Sequence, residues 1–243
     1  SIDRGRCGMT TRMPLMNHLV ELRSRLIKSV VAVALGSVVG IIFYRRILEV
    51  LAEPYAGATD QPLAFFQPTE PFSMALRVGL FGGTILASPV IIYQIWRFIG
   101  PALTQRERRY VYPLSGVMAL LFVAGIALGY YTLPLALRVL FSFGEGILQE
   151  TVGVNFYFSF AMRFLLAFGV AFQFPVFLFA AAALGLVTSQ ALRAQRRWAV
   201  VFVVVAAALM TPGGDPLTLM MLATPMYLLY ELSILSIRYI LRR

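Results

Sequence analysis

The sequence predicts an all-α polytopic membrane protein forming one domain over residues 1–243, and three observations carry that prediction. Six long apolar stretches recur along the chain; 59% of residues are hydrophobic against 13% charged; and the mean hydropathy is +0.79. A lipid interior satisfies no open backbone, so each crossing needs about 20 mostly apolar helical residues for a hydrocarbon core of roughly 30 Å.

Residues 1–25 are polar and basic and form an N-terminal cytoplasmic segment; without an apolar core and a small-residue cleavage site, insertion is expected to use the spans themselves. The first span covers residues 26–44 and carries Gly36 and Gly40. Between it and the second span, at 72–99, Pro54, Pro62, Pro68 and Pro71 predict a stiff, irregular outer loop. Gly79 and Gly83 in the second span, and Gly125 and Gly129 in the third at 110–133, share the four-residue spacing of Gly36 and Gly40. That spacing lets helices approach closely and is read as packing within the chain. The fourth span, 155–186, holds Gln173 two residues before Pro175, and that proline predicts a kink. The fifth, 196–211, is short before Thr211-Pro212-Gly213-Gly214, and the sixth, 216–237, carries Glu231 within its apolar run.

The formal charge of +10 is distributed rather than clustered on one surface segment. In a six-span arrangement, 16 of the 21 Lys and Arg residues fall on one side: six in 1–28, four in 97–109, three in 193–197 and three from Arg238 on. Cytoplasmic loops carry such an excess, so both termini are expected inside, and no nucleic-acid role is needed to explain the charge. The opposite side holds Glu49, Glu53, Asp60, Glu70, Glu145, Glu150 and Asp215.

Enzyme chemistry is short of residues. His18 is the single histidine and Cys7 the single cysteine, which excludes a two-histidine metal site, a thiolate cage and an internal disulfide. Neither a Gly-x-Ser-x-Gly elbow nor a phosphate-cradling glycine loop with its lysine is present. No catalytic role, cofactor or metal is expected. His18 reads either as a surface or hydrogen-bonded residue or as a pH switch.

Polar groups inside apolar surroundings mark the candidate sites. Glu21 and Arg25 stand at i, i+4 on an interfacial helix, a spacing that could be a local pair worth about 0.3 to 0.5 kcal/mol. Glu107 lies among Arg106, Arg108 and Arg109, where local charge balance is again one reading. The other is that two carboxylates on one basic face receive a pair of guanidinium groups through forked hydrogen bonds. Gln173 needs a partner from the backbone carbonyl that Pro175 frees one turn earlier, a facing helix or an entering molecule. Arg163 and Glu231 are ionisable groups within spans, and Arg77 is read as snorkelling to the interface.

Six separated motifs then carry a resemblance: HLVELRSRL at 18–26, SPVIIYQIWRFIGPAL at 88–103, RERR at 106–109, AFGVAFQFPV at 167–176, MTP at 210–212 and ATPMYLLYEL at 223–232. The chain resembles the TatC family, the multispanning receptors of twin-arginine protein export, from about residue 18 to 239. The resemblance implies six transmembrane helices in a concave, cup-like bundle with both termini cytoplasmic. It implies a receptor in the bacterial inner membrane, rather than a thylakoid or mitochondrial one, that binds twin-arginine signal peptides of folded cargo. Export is then driven by the proton-motive force, with TatA- and TatB-type single-span proteins and other TatC copies as partners.

Carried over by motif, Glu21, Glu107, Phe98, Arg109 and Gln173 are the expected signal-peptide-binding residues. Pro54, Phe72, Pro89, Tyr130, Asp215 and Glu231 are expected structural or partner contacts. Gln173 stands where this family commonly has glutamate, so this side chain keeps the hydrogen-bonding shape but cannot titrate. The competing reading is a small secondary transporter or channel subunit, with Gln173, Arg163 and Glu231 along a solute path. Such proteins often show internal repeats, which this chain does not display.

Overall fold

The computed structural model describes residues 13–99, 105–144, 151–183, 185–211 and 215–241; for 13–18, 99, 105–114 and 240–241 it describes the backbone alone. Among these residues the chain is almost wholly helical. The helices are α1 (Met13–Ile42), α2 (Tyr44–Ala56), α3 (Glu70–Ile99), α4 (Gln105–Ser142), α5 (Val154–Ala171), α6 (Phe174–Ala183), α7 (Ser189–Ala194), α8 (Arg196–Met210) and α9 (Pro216–Ser236). A π-helical turn, Ile237–Leu241, continues α9.

Five helical segments are long and apolar enough to cross a membrane: Leu19–Ile42, Glu70–Phe98, Ser115–Ser142, Val154–Ala183 and Pro216–Tyr239. At 15 residues, α8 extends only about 22 Å, short of a full hydrocarbon core. The segment expected ahead of the first span is continuous with it, because Pro14 suits a helix's first turn and nothing between Leu15 and Ile42 breaks the helix. The third span runs nine residues past Leu133, since the residues after Pro134 are mostly apolar and good helix formers.

The expected irregular outer loop is corrected over its first third. Residues 44–56 form a helix that buries Leu51, Pro54 and Tyr55 and exposes Arg45, Arg46, Glu49 and Glu53. Pro54 therefore lies inside a helix, and Pro71 is the second residue of α3. Beyond it, the chain is clipped to the start of α5 by a parallel bridge, in which Ala64 N–H donates to Val152 O and Val154 N–H to Ala64 O, each at 3.0 Å.

Two glycine seams set the packing. A Cβ on Gly36 would lie 2.6 Å from Gly83 O, and one on Gly40 would overlap Gly79 O, so α1 and α3 touch backbone to backbone. A Cβ on Gly125 would stand 2.6 Å from Phe168 O, and Gly129 faces the Phe168 ring, which places α4 directly on α5. Without a hydrophobic driving force between helices in lipid, such close approach supplies the dispersion that holds them. Buried Phe158, Phe164, Phe168, Leu133, Met74 and Leu222 fill the core between α3, α4, α5 and α9. A second cluster around Ala182, Leu192, Tyr230 and Ile234 joins α6, α7 and α9.

Candidate functional site

The N-terminal half of α1 and the end of α3 meet at one end of the bundle. There Arg25 Nη2 donates to Glu21 Oε1 at 2.9 Å, and Arg25 Nη1 donates to Gln94 Oε1 of α3 at 3.3 Å. The Arg25 side chain is 14% exposed and that of Glu21 31%. Arg25 is therefore an anchored cation whose two forks tie α1 to α3, and the charge-assisted bond fixes the direction of the partly exposed Glu21 carboxylate. Phe98, one helical turn beyond Gln94, is half-buried at the same end.

Glu107 and Arg109 belong to the first turn and a half of α4, but their side chains lie outside the described residues, as does that of His18. The backbone places the start of α4 beside the end of α3, where Trp96 Nε1 donates to Met118 Sδ. Gln94 was not singled out from the sequence. Its signal was its place in the motif spanning 88–103, four residues before Phe98.

The fourth span breaks where Pro175 predicts it, into α5 and α6, with Phe172 and Gln173 forming the turn. Phe172 N–H donates to Phe168 O and Gln173 N–H to Val170 O, both at 3.0 Å. Gln173 is 7% exposed. Its Nε2 donates to Met118 O of α4 at 3.2 Å and to Gly169 O at 3.4 Å. The facing-helix partner anticipated from the sequence is present, while the acceptor on its own helix is Gly169 O and not the Ala171 carbonyl that Pro175 frees. Oε1 is buried and accepts nothing among the described residues, leaving one acceptor for which burial is costly.

At the opposite end, the expected contact residues interlock. Pro54 has no N–H, so the carbonyl of Val50 loses its helical donor. Tyr130 Oη donates to Val50 O at 3.0 Å and lies 2.9 Å from Glu53 Oε2. Tyr157 Oη donates to Leu51 O at 2.6 Å, and Arg138 donates to Gly57 O. Three donors from α4 and α5 thus close the C-terminal half of α2. The same compensation recurs at Pro89, where Ser88 Oγ donates at 2.7 Å to Ile85 O, the carbonyl the proline leaves without its donor.

Asp215 is the N-cap of α9, its Oδ1 accepting from Thr218 N–H at 2.8 Å. Glu231 accepts from Arg196 of α8 at 2.7 Å and from Tyr227 at 3.2 Å, an interhelical pair that sequence spacing gave no means to find. Phe72, 72% exposed, makes the outer surface of α3. An apolar concavity of about 410 Å³ opens between α2, α3, α4 and α5, lined by Ile47, Leu51, Phe81, Ile126, Tyr130 and Leu165 among others.

Five helical segments long and apolar enough to cross a membrane define a multi-pass membrane protein. The chain belongs to the TatC family: the family model described as Sec-independent protein translocase protein (TatC) matches residues 17–225. It is 36% identical over 229 residues to the Sec-independent protein translocase protein TatC of Carboxydothermus hydrogenoformans, covering 94% of each chain. Against that of Aquifex aeolicus it is 39% identical over 226 residues, covering 91% of this chain and 93% of the other. Two crystal structures described as Twin Arginine Translocase Receptor TatC superimpose with TM-scores of 0.77 and 0.78 at 38% and 37% identity. Each covers 90% of this chain, and they are matched over 96% and 99% of their own length. The chain is a component of a protein translocase and not a catalytic enzyme.

Proposed function

We propose that this chain is the receptor that binds twin-arginine signal peptides of folded proteins and nucleates the export complex in the bacterial inner membrane. The observation that carries the reading is the Glu21–Arg25–Gln94 arrangement. Arg25, itself anchored on Gln94, fixes a Glu21 carboxylate whose side chain is 31% exposed, within reach of an incoming guanidinium. Forked guanidinium–carboxylate bonds are the strongest such contacts available to a side chain, roughly twice a neutral hydrogen bond. Glu107, on the helix that starts beside the end of α3, receives the second arginine, with Arg109 orienting it and Phe98 packing against the peptide.

The apolar stretch of the signal then enters the bundle toward Gln173, whose open Oε1 accepts from a backbone or side-chain donor. Both termini are cytoplasmic, α8 completes a sixth crossing through a locally thinned bilayer, and TatA- and TatB-type single-span proteins and other TatC copies pack around the bundle. The proton-motive force drives export; because Gln173 does not titrate, no proton is taken up at that position.

Site-specific photo-crosslinking of a twin-arginine signal peptide to the membrane-embedded chain tests this. Crosslinks are expected in the wild type and absent in Glu21→Ala, in Glu107→Ala and with a twin-lysine peptide. Equal crosslinking in all four cases would sink the carboxylate reading.

A further inference from the structure

On the flank of the bundle that α2 caps, α3 and α5 each place one arginine inside an apolar span, Arg77 and Arg163. Both side chains are exposed and line one cavity of about 370 Å³ with Asn155, Phe156, Ser159 and Phe160. Arg77 Nη1 reaches Ser159 Oγ at 3.5 Å, and among the described residues neither guanidinium meets a carboxylate. The Oδ1 of Asn155 is buried beside them and accepts no hydrogen bond. Two like charges facing one cavity within apolar spans are unfavourable unless an anion joins them.

Depth identifies the anion. A 30-residue α3 is about 45 Å long, so roughly 7 Å of it projects at each side of a 30 Å hydrocarbon core. Arg77 lies about 10 Å from the start of α3, and Arg163 about 14 Å from the start of α5. Both are therefore a few ångströms below the hydrocarbon edge, from which a snorkelling guanidinium reaches phosphate depth. Phe156, 78% exposed, and Phe160 lie nearer the start of α5 than Arg163 and give the cavity an apolar wall at the interface, where aromatic rings pack on a lipid's glycerol and upper chain. A free inorganic anion would gain nothing from those rings; an amphiphile gains from both.

We propose that this cavity binds the headgroup phosphate of an anionic phospholipid in the leaflet at the α2 end, clamped between Arg77 and Arg163. Two guanidinium groups match a phosphodiester without a competing ammonium, so phosphatidylglycerol is favoured over phosphatidylcholine. A lipid so held stands across the seam between α3 and α5.

The test is native mass spectrometry of the full chain titrated with phosphatidylglycerol or phosphatidylcholine, comparing wild type, Arg77→Gln/Arg163→Gln and Arg77→Lys/Arg163→Lys. The Gln variant is expected to lose about tenfold in phosphatidylglycerol affinity with phosphatidylcholine unchanged, while the Lys variant keeps most of the preference, because lysine still pairs phosphate as a point charge. Equal phosphatidylglycerol binding by wild type and Gln variant would overturn the proposal. So would displacement of the bound lipid by inorganic phosphate, which would make this a soluble-anion site. Independently of any variant, a photoactivatable phosphatidylglycerol should label wild-type residues 154–163, and labelling confined to other segments would also overturn it.

Discussion

The two ends of the bundle use polar groups in opposite ways. At the α2 end, Tyr130, Tyr157 and Arg138 donate to backbone carbonyls of Val50, Leu51 and Gly57, and Ala64 is clipped to the start of α5. Those donors complete a helix that Pro54 interrupts, and their hydrogen-bonding capacity is spent within the protein. At the other end, Arg25 is anchored by Gln94 and Glu21, and the Glu21 side chain is 31% exposed. Satisfied backbone makes a cap; an oriented, solvent-reachable charge makes a receptor surface. The same residue class, a polar side chain near a helix end, thus serves stability at one end and recognition at the other.

Substitutions can break this contrast, beginning with the scaffold on which both ends depend. Gly40→Leu drives a side chain into the Gly79 carbonyl and should separate α1 from α3, with a penalty of about 3 kcal/mol or more. Thermal unfolding in detergent and limited proteolysis of α1 would report it. Because Arg25 is held by Gln94 across this same seam, signal-peptide crosslinking should fall with it.

At the receptor end, Glu21→Gln keeps shape but removes charge. Twin-arginine peptide affinity is expected to drop about tenfold, the equivalent of one charge-assisted hydrogen bond, with the unfolding temperature nearly unchanged. Titration calorimetry in nanodiscs would measure the first and a melting curve the second.

At the cap end, Tyr130→Phe leaves the Val50 carbonyl without a donor and should destabilise the protein by about 1 kcal/mol. Pro54→Ala in that background supplies the missing N–H to the same carbonyl and should recover part of the loss. Failure of that rescue in chemical denaturation would separate Tyr130 from Pro54.

Smallest of all, Arg196→Gln removes a partly exposed ion pair with Glu231 and should shift stability by about 0.2 to 1 kcal/mol, with the effect shrinking as salt is raised.

Much of the scaffold was legible because its causes are local. Apolar length marked the spans, Pro175 marked the break at Phe172 and Gln173, and the glycine spacings marked the two close helix approaches. What escaped depends on distant pairings. Tyr157 meets a carbonyl 106 residues away and Tyr130 one 80 residues away, and no periodicity encodes either. The helix at 44–56 was hidden by its own prolines: four in the region read as loop, although Ile47, Leu51, Pro54 and Tyr55 lie on one helical face. Glu21 could be singled out from its i, i+4 arginine, but Gln94, which turns that pair into a link between helices, could not. Glu231 was visible as an acid in a span, while its partner Arg196 looked like one of several loop cations.

The most direct test places the two ends in one experiment: twin-arginine peptide affinity and melting temperature measured together for wild type, Glu21→Gln and Tyr130→Phe in the same nanodiscs. Division of labour between the ends predicts that Glu21→Gln loses affinity and keeps its melting temperature, whereas Tyr130→Phe loses melting temperature and keeps affinity. Undiminished binding by Glu21→Gln, or equal loss of binding by both variants, would contradict it.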